Sequence, residues 1–148
     1  MGLQLAIIKQ ESSFTHDAKP DRKKRTILFF IPGSRPSSAY GYAQALDETW
    51  DEYRRQSGNR GADRDDFDDA TDFIGWYVNR TGRLTGIGPH NYKAHYLAYH
   101  EGAGGYSRGT WRKKKWLIET ANQVQRNASR YESQIKSCRK SLKRSWFF

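Results

Sequence analysis

The chain has 148 residues, which is the length of one ordinary domain with a core of its own. No stretch approaches the roughly 20 apolar residues of a membrane-spanning helix, and the single cysteine excludes an internal disulfide. The net charge of +10 favours an anionic polymer as a partner, and nucleic acid, acidic cell-wall glycan and anionic lipid all fit that description.

The first predicted element is a helix over residues 2–12, because Leu3, Ala6, Ile7 and Phe14 fall on one helical face. Residues 15–38 break this pattern with prolines, a glycine and a run of four basic residues. We expect a long excursion there with at most one small β-hairpin near residues 27–31. A connection of this length inside a compact domain is more often functional than accidental.

The remaining elements are predicted to be almost entirely helical. A serine pair at 37–38 supplies a cap for a helix over about 39–56, and the acidic residues 65–72 open another that ends within 82–89. A short helix over 91–100 leads into a glycine-rich turn at 101–105. Residues 110 to about 142 form a helix with a basic outer face. We therefore predict one mainly α-helical domain over 1–148, with a basic C-terminal helix and tail over about 113–148.

Glu11 is the first candidate for chemistry, because it directly follows the apolar run of residues 3–8. A carboxyl group at the end of an apolar helix is partly desolvated, which raises its pKa. A carboxylic acid that keeps its proton near neutral pH can protonate a leaving group, as cleavage of a glycosidic bond requires. Taken alone, a glutamate at a helix end is more often a solvated residue.

Two later segments strengthen the case. Residues 11–14 read Glu-Ser-Ser-Phe, residues 37–44 read Ser-Ser-Ala-Tyr-Gly-Tyr-Ala-Gln, and residues 98–104 read Ala-Tyr-His-Glu-Gly-Ala-Gly. In this order they resemble the Slt-type lytic transglycosylases of glycoside hydrolase family 23, which have a lysozyme-like fold. The family shows Glu-Ser-x-Phe, a serine loop leading to Gly-Leu-Met-Gln, and Ala-Tyr-Asn-Ala-Gly-x-Gly. The second and third motifs depart from the pattern, and the gap after Glu11 is about twice the usual one.

The resemblance implies that Glu11 is the single general acid and then the base. It would break the bond between MurNAc and GlcNAc without water and leave a 1,6-anhydro ring on MurNAc. Tyr99 would hold the Glu11 carboxyl in place through its hydroxyl group. Ser37 would orient Glu11 or the acetamido group of the substrate, although a helix cap explains it equally well. Gln44 would contact sugar.

Other positions receive smaller roles. Gly41 and Gly102 would let the backbone approach the glycan. Tyr42 and His100 would line the groove, although packing explains both as well. No second carboxylate occupies an obvious partner position, and the nearest candidates are Asp47, Glu48 and Glu101. His16 and His95 lack ligand partners at metal-binding spacing, so we expect neither a metal nor another cofactor.

The expected partner is therefore the glycan strand of peptidoglycan, and envelope assembly proteins are further candidates. We expect a monomer without specific nucleic-acid binding. The expected location is the periplasm or the outer-membrane side of a bacterial envelope, with any export signal or lipid anchor outside this sequence. The alternatives are a hydrolytic muramidase, an inactive envelope scaffold, and a module that binds nucleic acid or another anionic polymer through the basic residues 136–144 and the aromatic residues 146–148.

Overall fold

The computed structural model describes residues 1–20 and 38–145, with side chains described as far as residue 140. A short 3-10 helix, Thr110–Lys113, precedes the last of the α-helices in this part of the chain. These are α1 (Gly2–Ser12), α2 (Asp47–Ser57), α3 (Phe67–Thr85), α4 (Tyr92–Arg108) and α5 (Lys115–Ser145). The mainly helical prediction is confirmed. The hairpin expected near residues 27–31 lies outside the described residues, within which the only β feature is an isolated bridge between Tyr40 and Ala45.

Helix α1 lies in the core and packs against α5 and α3. Its buried side chains include Ala6, Ile7 and Ile8, and the facing side of α5 buries an apolar stripe at helical spacing: Leu117, Ala121, Val124 and Ala128. Gly2 permits the close approach of the two helices, because a Cβ atom there would lie 2.6 Å from the carbonyl oxygen of Ala128. The predicted bounds of α1 are confirmed.

Two consecutive left-handed residues end α1. Ser13 has a φ of 51° and Phe14 a φ of 63°, so the chain leaves the helical path directly after Ser12. The side chain of Phe14 is 41% exposed as a result. The prediction that Phe14 shares the buried face of the first helix is therefore wrong. Glu11 remains inside the last turn of α1, where it is 8% exposed.

Residues 38–46 form a loop, so the prediction of a helix from residue 39 is wrong. Gly41 has a φ of 77° and Gln44 a φ of 49°, and both values are incompatible with a right-handed helix. A side chain at position 41 would place its Cβ atom 2.1 Å from the carbonyl oxygen of Arg64. Glycine is therefore required at this close contact between two backbone segments.

Helix α4 joins two elements that the sequence predicts to be separate. The Asn91 side chain accepts a hydrogen bond from the Ala94 N–H at 3.1 Å and caps the start of the helix. The glycine-rich segment predicted as a turn is helical as far as Arg108, apart from a kink at Gly102, where φ is 70° and ψ is 163°. Of the predicted turn, only Gly102 has non-helical backbone angles.

Aromatic residues connect the helices of the core. Rings of α2, α3 and α4 pack in a continuous series with neighbouring centroids 5.0 to 6.1 Å apart: Trp50, Tyr53, Phe73, Trp76, Tyr77 and Tyr99. Much of the aromatic content of the chain therefore stabilises the core. Among the described helices, none combines the length and the apolar character needed to cross a bilayer.

Candidate active site

Glu11 is a buried carboxyl group with one partner. The hydroxyl group of Tyr96 on α4 donates a hydrogen bond to Glu11 Oε1 at 3.1 Å. Glu11 Oε2 is buried and has no hydrogen-bond partner among the described residues. The two oxygens are therefore distinct: one is held by Tyr96, and the other is free to carry a proton.

The surroundings of Glu11 favour its protonated form. Burial raises the pKa of this carboxyl from 4.5 to about 8, and the hydrogen bond from Tyr96 opposes the rise. Burial raises the pKa because an apolar environment destabilises the carboxylate. The donated hydrogen bond lowers the pKa because it stabilises the carboxylate. A carboxyl group with this pKa is mostly protonated at neutral pH and can act as a general acid.

The tyrosine that contacts Glu11 differs from the predicted one. The hydroxyl group of Tyr99 donates to the carbonyl oxygen of Ala43 at 2.7 Å, so its hydrogen is not available to Glu11. The prediction that Tyr99 holds the Glu11 carboxyl is therefore wrong, and Tyr96 makes that contact. Tyr99 is nevertheless close enough for the Glu11 charge to raise its pKa, after the larger effect of burial.

Helix α4 thus connects two of the three sequence motifs. Tyr96 and Tyr99 are three residues apart and so fall on one helical face. The first binds Glu11 at the end of α1, and the second binds Ala43 in the loop 38–46. The helix fixes the position of that loop relative to the carboxyl group.

Arg64 organises the loop 38–46, and sequence reasoning missed it. Its guanidinium group donates to the carbonyl oxygens of Ser38 at 2.9 Å and Ala45 at 3.0 Å, and it pairs with Asp47 at 2.8 Å. The same group lies 5.3 Å from the centre of the Tyr40 ring. No local sequence signal indicates that Arg64 has this role, because its partners lie 17 to 26 residues earlier in the chain.

The side chain of Gln44 also stabilises the loop 38–46. Its side-chain amide donates to the carbonyl oxygens of Ala18 at 2.8 Å and Gly41 at 2.9 Å, and the residue is 3% exposed. Both donor hydrogens are therefore used inside the protein. In this conformation Gln44 holds the loop, and a sugar contact through its amide hydrogens, as the family resemblance implies, is not available.

The other predicted loop positions have separate outcomes. Gly41 accommodates the Arg64 backbone, so the close approach there is to the protein itself. Tyr42 is half-buried and packs edge-on against Phe67 with ring centroids 5.5 Å apart. Ser37 lies outside the described residues. Its role stays a prediction.

His100 is packed against neighbouring side chains. The residue is 7% exposed, its ring lies 5.3 Å from that of Trp116, and its Nδ1 atom is 2.9 Å from Glu101 Oε1. The packing alternative therefore describes His100 in this structure, and its place in a groove wall stays a prediction. Gly102 differs, because a Cβ atom there would meet nothing within 4 Å. The space beside Gly102 is compatible with approach by a ligand.

The candidates for a second carboxylate are engaged elsewhere or exposed. Glu101 accepts hydrogen bonds from Thr110 and from Lys114 at 2.6 Å, and Asp47 pairs with Arg64. Glu48 is exposed on the first turn of α2. Among the described residues, no neighbouring carboxylate perturbs the pKa of Glu11. Within the described residues, the arrangement around Glu11 therefore shows one acid rather than a pair.

Metal-ligand residues do not converge in the part of the chain described here. No group of three His, Cys, Asp or Glu side chains is placed to hold an ion. His95 is buried with its Nε2 atom 3.1 Å from the Gly88 carbonyl oxygen, and burial lowers its pKa. His16 is exposed beside Asp17.

The described cavities lie away from Glu11. One of about 670 Å³ is bounded by the first turn of α1, the second half of α3 and the start of α4. Two others, of about 640 and 330 Å³, are formed around α3 and α2. Glu11 lines none of these three. Most of the excursion 15–38, namely residues 21–37, is outside the described part of the chain.

Comparison with known proteins adds one match. The model of the family described as "Transglycosylase SLT domain" matches residues 1–138. No curated protein and no solved structure matches the chain. Because the match covers nearly the whole chain, the protein belongs to the transglycosylase SLT domain family, which indicates a lysozyme-like helical domain and an enzyme that acts on peptidoglycan.

Proposed function

We propose that this protein is a peptidoglycan lytic transglycosylase that cleaves the β-1,4 bond between MurNAc and GlcNAc without water. The observation that carries the proposal is the buried Glu11 carboxyl, which has a pKa of about 8, one oxygen bound by Tyr96 and the other without a partner. Family membership supports peptidoglycan as the substrate. The corresponding location is the bacterial cell envelope.

The reaction uses one proton twice. Glu11 gives its proton to the glycosidic oxygen as the bond from that oxygen to C1 of MurNAc breaks, and GlcNAc leaves with a free hydroxyl group. The acetamido group of MurNAc stabilises the positive charge at C1. The Glu11 carboxylate then takes the proton of the C6 hydroxyl, whose oxygen bonds to C1 and closes the anhydro ring. At the end of the reaction the Glu11 carboxyl group is protonated again, as it was at the start.

Tyr96 has a positioning role in this scheme. Its hydroxyl group donates to Oε1 in both protonation states of Glu11, which leaves Oε2 to give and recover the proton. The hydrogen bond also stabilises the carboxylate that exists between the two transfers. The Tyr99 contact with Ala43 keeps the loop 38–46 next to the same helix.

The principal alternative is a hydrolytic muramidase, in which water replaces the C6 hydroxyl as the attacking group. The single-carboxylate arrangement supports the transglycosylase route. An inverting hydrolase needs a second carboxylate to activate water, and two of the candidates in the described residues are engaged elsewhere, Glu101 by Lys114 and Asp47 by Arg64.

The deciding experiment digests purified peptidoglycan with the wild type and with Glu11→Gln and identifies the products by mass spectrometry. We expect anhydro-MurNAc ends from the wild type and a loss of roughly a thousandfold in rate for the variant. Glu48→Gln removes an exposed carboxylate of α2 and is the matched control, with an unchanged rate. Reducing MurNAc ends would identify a hydrolase, and comparable activity of Glu11→Gln would refute the mechanism.

A further inference from the structure

The net charge of the protein is concentrated at its C-terminal end. Residues 112–148 contain 11 of the 26 basic residues and only 2 of the 16 acidic ones. Residues 1–111 contain the other 15 basic and 14 acidic residues and are nearly neutral. An asymmetry of this kind indicates a contact with an anionic partner through the basic part.

Many of these basic residues lie on helix α5. Its apolar stripe faces the core, and at 3.6 residues per turn the opposite side carries four exposed basic side chains: Lys115, Arg126, Arg130 and Lys140. They extend over about 37 Å of helix. From Lys136 to Lys140 every side chain is exposed, so this part of α5 lies beyond the packed core. We call Lys136, Arg139 and Lys140 the basic end.

These cations have no carboxylate partner in the part of the chain that the structure describes. The ion pairs of the described residues involve neither the four outward side chains nor the basic end. Arg126 and Arg130 donate to the neutral side chains of Gln123 and Asn127. The helix therefore presents positive charge that no carboxylate of the described residues balances.

We infer that the basic end of α5 is a peripheral docking surface for a bilayer rich in anionic phospholipid. A cluster of basic residues on a helix is attracted to the negative surface of such a bilayer. In the sequence, Lys143 and Arg144 continue the cluster, and residues 146–148 are Trp-Phe-Phe, side chains of the kind that membrane interfaces favour. The inference does not depend on Glu11.

Nucleic acid fits this helix less well. Grooves that hold single strands combine cations with exposed aromatic rings on which bases stack. The aromatic residues 146–148 of the sequence suit bases as well as a membrane interface, but those in the described part of α5, Trp116 and Tyr131, are half-buried against the core. The described surface of α5 therefore offers cations without exposed rings beside them, which suits an anionic lipid surface better than a strand of bases.

The test is sedimentation of the full chain with vesicles of phosphatidylglycerol and phosphatidylcholine, compared with vesicles of phosphatidylcholine alone. We expect binding to the anionic vesicles only, weakened by added salt. The triple variant Lys136→Gln/Arg139→Gln/Lys140→Gln should bind roughly a hundredfold more weakly, because each basic residue near the surface contributes about fivefold.

The matched control removes the same charge elsewhere. Arg55, Arg60 and Arg83 are exposed and lie on other parts of the surface, outside the ion pairs of the described residues. Changing these three to Gln should alter vesicle affinity less than threefold.

An equal loss in both triple variants would overturn the inference. So would equal binding to uncharged vesicles, or tighter binding to duplex DNA than to anionic vesicles at the same salt concentration. Glu11→Gln should bind vesicles as the wild type does, which separates this inference from the catalytic proposal.

Discussion

Glu11, which is buried, and Glu101, which is half-buried, have pKa values shifted in opposite directions. Glu11 receives one hydrogen bond, and burial raises its pKa to about 8. Burial would also raise the pKa of Glu101, but three donors outweigh it and lower the pKa below 4.5: Lys114, Thr110 and His100. The comparison shows that the degree of burial and the number of donors together decide whether a carboxyl group keeps its proton or stays ionised.

The largest expected effect on stability concerns the charge of Glu11. In the unfolded chain its pKa is near 4.5, so between pH 4.5 and 8 the folded state binds more protons, and the free energy of unfolding falls as pH rises. A shift of this size corresponds to roughly 3–5 kcal/mol. Urea unfolding from pH 4.5 to 9 should show that Glu11→Gln lacks this decline. Parallel curves for the two proteins would show that Glu11 does not have a raised pKa.

Glu101→Gln should act in the opposite pH window. A lowered pKa contributes stability above about pH 4.5 that is lost as pH falls through the folded-state value. Loss of the bonds to Lys114 and Thr110 should cost roughly 1–2 kcal/mol at pH 7, because Lys114 is partly exposed and its ion pair is screened.

The control for Glu101 is Glu52→Gln, which breaks the half-exposed pair with Arg80 at 3.0 Å. Urea unfolding should show a cost below about 1 kcal/mol for this change. An equal cost for the two variants would mean that the buried cluster around Glu101 contributes no more than an ordinary surface pair.

Two conservative variants, each of which removes one hydroxyl group, separate Tyr96 from Tyr99. Tyr96→Phe removes the bond that stabilises the Glu11 carboxylate, so the pKa of Glu11 should rise and the alkaline limb of the rate profile should move to higher pH. We expect a roughly tenfold lower rate at neutral pH from poorer positioning. A pH–rate profile with an unmoved limb would remove the positioning role of Tyr96.

Tyr99→Phe is the companion variant. It leaves the Ala43 carbonyl oxygen without its donor, which should lower the free energy of unfolding by about 1–3 kcal/mol without moving the alkaline limb. A shifted limb in this variant would instead support the role that the family resemblance implies for Tyr99.

Local sequence was sufficient for α1 and the position of Glu11. The apolar spacing of residues 3–8 predicts both the buried face and the partly desolvated carboxyl at its end, and the structure has the same helix bounds. The loop 38–46 was mispredicted because nothing in its own residues forbids a helix. Its left-handed residues are held by distant groups, chiefly Arg64 and the Ala18 carbonyl oxygen.

The choice between the two tyrosines was also beyond local sequence. The predicted helix over 91–100 contains both residues, and helical periodicity places Tyr96 and Tyr99 on one face of it. Which hydroxyl group reaches Glu11 depends on how α3 and α5, which both helices contact, hold α4 relative to α1. The bond that results joins residues 85 positions apart.

The central claim is that Glu11 keeps its proton at neutral pH. The most direct measurement is a carbon-13 NMR titration of the glutamate side-chain carboxyl groups, with the Glu11 signal assigned by its loss in Glu11→Gln. The account predicts a midpoint near pH 8 for Glu11 and one below 4.5 for Glu101. A Glu11 midpoint near 4.5 would contradict it.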